Sequence, residues 1–539
     1  MMDGPVLPGE IAPLFDDTLD RLKNEPNDKD VFNFALLCIA DTHMPFQAPL
    51  VKRLAKQTEN TVGVIRTMVA KFSRELAASK SGDMLNDVKA THVQIARHYQ
   101  EYVPSPGIVA SGGKFWTYRH VQGLWIPRDM SEIGVQIATK YSDFDHCKRA
   151  NDYTGLTKTL YTLCADESFF DKAPEGVATE AGFWRMKEGK VVCEPHSPDN
   201  RALFALTCEP VRGVRPALFT STLLQAFTPP DSQMENDVAN GKFVNLEDAK
   251  FHYVSEGFEQ IRALQMLFGA TLFGMLPRLE KAVLLYGKAG SFKSKTLELL
   301  RKLVDSDAVC SISPLELDNE YRVARLANKR LNAVPEIDAE KPVPAAAFKA
   351  VIGGDLVSGR VPYGQVFEFV PRAANWFNGN YYLTTRDTSS AFWRRWYVIR
   401  FWSGKGEGER DETLVHRIAE NELAQIIGWA FDGAERLQAE GLRTTQTHLD
   451  CLAEWQNSFN SVVSWLSSND AGVYRRNEND HRPEMTSVEA FECYKRWCAD
   501  VHRKPFGRNK FLANMREHGF PYVNGPQTTT FPTLTRERW

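Results

Sequence analysis

The hydrophobic pattern of this 539-residue chain changes character from region to region. Residues 1 to about 90 read as helical, because Val64, Ile65, Met68, Val69 and Phe72 recur at the spacing of one helix face. Thr91 to Tyr102 continues as another helix, and Pro104-Ser-Pro-Gly107 breaks the chain. From there to about Pro210, short aromatic-rich runs alternate with helix-like segments. Leu264–Leu276 is the most apolar stretch, 13 residues with two glycines. That is too short to span a bilayer and predicts a buried helix. The run Ala-Val-Leu-Leu-Tyr-Gly287 is continuously apolar, as a strand buried on both faces would be. A helix-like segment follows (Thr296, Leu297, Leu300, Leu303, Val304). Arg330–Val334 reads as a second, partly apolar strand. Alternating strands and helices predict an α/β fold with a mostly parallel sheet and helices on both faces. Near the carboxyl end Val488, Phe491, Tyr494 and Trp497 mark one helix face. Gly507 to His518 suggests a second helix, stopped by Gly519 before a strand-like Tyr522-Val523.

Four regions follow: a helical region at 1–90, an accessory domain at 91–253, an α/β domain at 254–441 and a carboxyl-terminal module at 442–539. A polar stretch, Thr228-Pro-Pro-Asp-Ser-Gln, precedes the α/β domain.

Chemistry concentrates where the first apolar strand ends. Gly287-Lys-Ala-Gly-Ser-Phe-Lys-Ser294 is a small-residue loop between a strand and a helix, the setting a phosphate-binding loop needs. Backbone N–H groups of Gly287, Lys288, Ala289, Gly290, Ser291, Phe292 and Lys295, with the positive helix end behind them, would cradle a polyphosphate. Lys293 would reach the terminal phosphates and Ser294 would hold Mg²⁺. The pattern G-x-x-x-x-G-K-[ST] wants glycine before the lysine, and this chain has Phe292 there. Two arrangements follow: the loop keeps its usual shape with Phe292 under strain, or, as favoured here, Gly290 and the other small residues make the turn one step early with the Phe292 ring packed aside. The second strand delivers Glu336 and Asp338 to its carboxyl end, where an acid positions Mg²⁺ and polarises water. A solvated acidic turn is the plainer alternative.

Downstream the chain reads D-N-E-Y-R-V-A-R-L-A-N-K-R-L-N-A-V-P-E-I-D, then F-K-A-V-I-G-G-D-L-V and N-W-F-N-G-N-Y-Y-L-T-T-R-D-T-S-S-A-F-W-R-R-W-Y-V-I-R-F. In order and spacing this resembles the helicase module of phage- and plasmid-type primase-helicases. These are superfamily 3 helicases of the AAA+ class, related to the poxvirus primase-helicase. The match is best from about Lys281 to Phe401. G-K-F-W-T-Y-R, G-L-W-I-P and G-F-W-R-M-K-E-G-K-V-V-C-E-P-H-S-P-D resemble the accessory domain of that family. The resemblance implies a homo-hexameric ring that hydrolyses ATP with Mg²⁺ and moves on single-stranded or forked DNA. It places the acidic position at Glu336 and a sensor amide at Asn380, with Asn378 two residues earlier as the competing choice. It places an arginine finger at Arg394 and Arg395, whose alternative is a cation–π surface cluster. It also implies a carboxyl-terminal winged helix. Where the family presents basic residues to DNA, this chain has Val361-Pro362. Arg360 falls one or two places early and Lys349 lies upstream.

Composition sets limits on partners. Hydrophobic content of 43% and charged content of 25% are globular values. A net charge of −3 gives no global sign of a nucleic-acid partner, so DNA contact needs local patches. Lys495 to Arg516 supplies one, with Lys504, Arg508 and Lys510 the candidate DNA contacts; a solvated helix face is the plain alternative. The nine cysteines form no C-x-x-C pair and point to a reducing compartment, here a bacterial host cytoplasm. The acidic, proline-bearing Met1–Glu10 predicts no secretory signal, and no membrane partner is expected. Two other functions stay open: an ATP-driven DNA-remodelling protein that does not unwind duplex, and the helicase part of a primase-helicase. Against an active primase in this chain, the first region offers only Asp41 and His43 and no D-x-D on a strand. A separate primase or replication protein would then be a partner.

Overall fold

The apolar run after Lys281 becomes a central strand of a five-stranded, wholly parallel sheet. The computed structural model describes residues 12–24, 29–40, 44–58, 60–69, 90–337, 341–362, 366–387, 389–402, 411–468, 473–475, 483–501, 503, 505–525 and 529–536. The chain divides into two compact units, Met1–Lys187 with Val192–Glu209, and Glu188–Val191 with Pro210–Trp539.

The second unit contains β1 (Ala282–Gly287), β2 (Val309–Cys310), β3 (Leu331–Val334), β4 (Val357–Arg360), β5 (Val366–Phe369), β6 (Ala374–Gly379) and β7 (Trp396–Phe401). The sheet order is β7-β1-β6-β3-β2, while β4 and β5 pair separately as an antiparallel hairpin. Ala282 to Leu285 and all of β6 are buried, which explains the unbroken apolar reading of β1. Besides Asn378 at the loop end of β6, the buried polar residues of these inner strands are Asn332 of β3 and Asn375 of β6. They bond to each other at 2.9 Å, and Asn332 also accepts from the Ile312 amide at 2.7 Å. A buried amide survives there because its groups are paired.

Helices cover the sheet: α1 (Leu246–Phe273), α2 (Lys293–Lys302), α3 (Ala345–Gly353), the short α4 (Ser390–Trp393), α5 (Leu414–Glu440) and α6 (Gln446–Phe459). The expected buried helix is the second half of α1, buried from Ala263 to Phe273. It crosses α5 at backbone contact. A Cβ on Gly269 would lie 2.3 Å from the Ala430 carbonyl oxygen, and one on Gly433 would lie 2.1 Å from that of Gln265. Further along, α7 (Ser487–Asp500) and α8 (Arg508–Glu517) pack with the strands Met485–Thr486, Val523–Asn524 and Thr529–Phe531. On α7 the buried face is Ala490, Tyr494 and Cys498, with Phe491 and Trp497 partly covered. Val488 is exposed, because it is turned away from that face, whereas Ser487 in the same turn is on it and buried.

In the first unit, helices Ala12–Asn24, Lys29–Ala40, Met44–Gln57 and 62–69 enclose Phe15, Leu22, Leu36, Ile39, Leu54 and Ile65. Ile65 and Val69 are inside while Val64 and Met68 are exposed, so the predicted apolar stripe is narrower than its sequence. Asp41, His43 and Phe72 lie outside the described residues. Helices His92–Tyr102, Met130–Tyr141 and Ala150–Cys164 share a second core with the three-stranded meander Ile108–Ser111, Lys114–Arg119 and Leu124–Arg128. The helix His92–Tyr102 opens on a capping box, in which Thr91 and Gln94 satisfy each other's backbone donors. No described helix is long and apolar enough to cross a membrane.

Candidate functional site

The chain leaves β1 for the far edge strand β2, returns through β3 and β6, and then crosses to β7 on the other side of β1. The loop after β1 therefore opens between two neighbours reached by different connections. Open α/β sheets bind ligands at such switch points, beyond the carboxyl ends of their strands.

Close packing shapes this loop. A Cβ on Gly287 would lie 2.1 Å from the Phe401 carbonyl oxygen, so the strand exit admits only glycine. Gly290 and Phe292 both have left-handed backbones, with φ of 78° and 73°. Of the two arrangements the strained one is present, and the favoured one, in which small residues spare Phe292, is not: the loop needs a left-handed residue directly before α2 as well. Phe292 holds the amino-cap position of α2.

Lys293 is buried at 3% exposure. Its Nζ donates to the Lys288 carbonyl at 2.6 Å and to Ser291 Oγ at 3.2 Å. Burial pushes this ammonium down to about 8, against the opposing pull of the Glu336 carboxylate. Ser294 is exposed at the mouth of the loop. Its Oγ accepts from Asn378 Nδ2 at 2.7 Å, and the same amide donates to the Pro335 carbonyl at 2.7 Å. Asn378 is 5% exposed, and its Oδ1 is buried with no hydrogen-bond partner. Thus Asn378 ties the loop to the ends of β3 and β6, whereas Asn380 stands exposed just past β6. The end of the strand decides this: Asn378 is still in β6, and Asn380 follows its end.

Glu336 is exposed immediately beyond β3, near enough to act on Lys293. Asp338 lies outside the described residues. Among the described residues no group of three or more His, Cys, Asp or Glu could hold a metal alone. Magnesium carried with a nucleotide needs only one or two protein oxygens, and the exposed Ser294 and Glu336 fit that demand.

Arg394 and Arg395 occupy the opposite end of the sheet. The Arg395 carbonyl accepts from the Ala282 amide at 2.7 Å, at the start of β1. Both guanidinium groups meet Glu280, at 3.3 and 3.4 Å. The length of β1, roughly 17 Å at about 3.3 Å per residue, separates them from their own loop. The Arg395 side chain is 11% exposed and also donates to the Ala391 carbonyl; that of Arg394 is 63% exposed.

The candidate DNA contacts are mostly engaged internally. Lys349 pairs with Asp387 at 2.9 Å and Arg360 with Glu320 at 3.7 Å. Arg360 ends β4, and Val361 beyond it is 50% exposed. In the carboxyl-terminal module Arg508 donates to Ser487 Oγ at 3.2 Å and Lys510 to the Arg386 carbonyl at 3.3 Å. Lys504 lies outside the described residues.

Residues 285–395 match a family of unknown function (DUF5906). Among solved structures the chain is similar to the apo C-terminal region of NrS-1 (305–718). One such structure, the A form, has 13% identity and a TM-score of 0.39, covering 79% of this chain and 95% of that one. A second has 13% identity and a TM-score of 0.39, covering 79% and 96%. Another A-form structure of this region has 14% identity and a TM-score of 0.38, covering 79% and 95%. No curated protein matches.

Proposed function

We propose that this chain is a P-loop ATPase of the superfamily 3, AAA+ class, working as a DNA helicase in the replication of a phage, plasmid or other mobile element. The observation that carries this reading is the convergence of buried Lys293, Ser294 and the orphaned Asn378 Oδ1 on one loop at a switch point. In this reading Lys293 leaves Lys288 and Ser291 to bind the terminal phosphates of ATP. Ser294 and Glu336 would hold Mg²⁺, which neutralises phosphate charge when bound. The free Asn378 Oδ1 accepts from the attacking water and orients it. Arg394 cannot reach its own loop and is exposed, so it serves a neighbouring subunit, as a homo-hexameric ring requires. Arg395 anchors it through Glu280. The carboxyl-terminal helices and strands act as a winged-helix-like DNA module.

One observation favours the second reading, an ATP-driven remodelling protein without unwinding. The β4–β5 hairpin carries exposed Val361 at its turn, and the nearby cations are already paired. ATPase rate with and without single-stranded DNA, native mass, and strand displacement distinguish the two. Lys293→Ala should lower turnover by about two orders of magnitude or more with the fold intact, as expected for losing the phosphate-positioning cation. Parent-like hydrolysis by Lys293→Ala would sink the ATPase reading.

A further inference from the structure

Two contacts from α8 grip the segment that leads into the arginine pair. Glu517 Oε1 accepts from the Ser390 amide at 3.1 Å, at the first residue of α4. Seven residues earlier on α8, Lys510 Nζ donates to the Arg386 carbonyl. Between these points Asp387 accepts from the Ser389 amide at 2.9 Å and pairs with Lys349 of α3. Arg394 caps the far end of α4, only one turn away. Two carboxylates thus accept backbone N–H groups ahead of the arginine: the segment's own Asp387, held by Lys349 of α3, and Glu517 of α8.

The two grips differ in what backs them. α8 is fixed in its own module by buried Phe511 and Met515, and by Asn514, which accepts from Asn460 at 2.8 Å. Its contact with the arginine segment is polar and hollow. A cavity of about 660 Å³ lies between them, lined in part by Pro344, Arg386, Asp387, Lys510 and Glu517. A contact made of a few hydrogen bonds beside an open cleft can part without unfolding either side. A charge-assisted bond to a backbone N–H is nevertheless strong enough to set a short helix's position.

We propose that Glu517 is a positioning residue for Arg394, so that the carboxyl-terminal module governs hydrolysis in the neighbouring subunit. This rests on the ATPase reading above. Lys510 belongs to the basic face expected to meet DNA phosphate. A phosphate drawing Lys510 off the Arg386 carbonyl shifts α8, and Glu517 passes the shift to α4.

The test compares Glu517→Ala, Glu517→Gln and Arg394→Ala in the full chain. Glu517→Ala should lower kcat about tenfold or more with nucleotide Kd unchanged, because a reacting group is misplaced rather than removed. Its rate should no longer respond to single-stranded DNA. Glu517→Gln keeps an acceptor oxygen and should recover at least half of the parent kcat. Adding Lys293→Ala subunits, whose own arginines are held correctly, should partly rescue Glu517→Ala; a fold defect would not be rescued. Parent-like kcat and DNA response in Glu517→Ala, beside an inactive Arg394→Ala, overturn the proposal. So does a Gln variant as impaired as the Ala variant. Parent-like hydrolysis by Arg394→Ala would instead remove the trans-acting arginine beneath it.

Discussion

A phenylalanine at φ 73° is the residue on which the loop turns. A side chain with a Cβ in the left-handed region costs on the order of 1 kcal/mol. The half-buried ring gives some of that back, so replacing it by glycine alone mixes two effects. Comparing two substitutions separates them. Phe292→Ala and Phe292→Gly both lose the ring, but only alanine keeps the strain. The glycine variant should therefore be more stable than the alanine variant by about 1 kcal/mol in denaturant unfolding. Equal stabilities would mean that the backbone stores no strain there. The motif exposed the departure at Phe292 but not its conformation, since either glycine or a repacked ring could have satisfied the same letters.

Among the elements, β7 is the edge of the sheet on the arginine side, and α6 closes it with a histidine. His448 Nδ1 accepts from the Val398 amide at 3.1 Å, and the ring stacks on Tyr397 at 4.3 Å and 2°. The acceptor must be neutral imidazole. Burial, with a smaller push from Lys281, brings its pKa down to about 4 from the ordinary 6.5. The folded state therefore binds fewer protons than the unfolded chain between these values. Stability from this group is full above pH 6.5 and falls as the pH drops towards 4, by up to about 3 kcal/mol. Urea unfolding at pH 7 and pH 5 should show the loss in the parent and a smaller one in His448→Gln. An identical acid response in both would assign the loss to other groups. Nothing in the sequence singled out His448, because a lone histidine between Thr447 and Leu449 has no pattern until a strand edge is placed beside it.

For the whole molecule, the position of Arg394 at the amino end of the sheet makes a strong demand. If the loop and the arginine complete one site, they come from different copies. Lys293→Ala subunits and Arg394→Ala/Arg395→Ala subunits should each be inactive alone. Mixed in equal amounts, random assembly in a ring pairs an intact loop with an intact arginine at about a quarter of the interfaces, so activity should reappear. Glu280 holds both arginines, so the double variant removes the finger and its anchor together. A monomer with full activity at nanomolar concentration would exclude the arrangement.

The α/β class, the strand before the loop, the loop itself and the position of Glu336 just after β3 were legible in the sequence. They rest on local signals: an apolar run, small residues at a turn, an acidic residue just after a strand. Such signals survive because neighbouring residues in the chain are neighbours in space. What only the tertiary structure decided is which distant groups share a place. It put Asn378 on Ser294 and left Asn380 outside, because the end of β6 fell at Gly379. It sent the arginines to the opposite end of the sheet from the loop, and it turned Lys349, Arg360 and Lys510 to partners within the chain. Strand order, register and the pairing of long side chains depend on packing across the sheet, and no spacing along one chain encodes those distances.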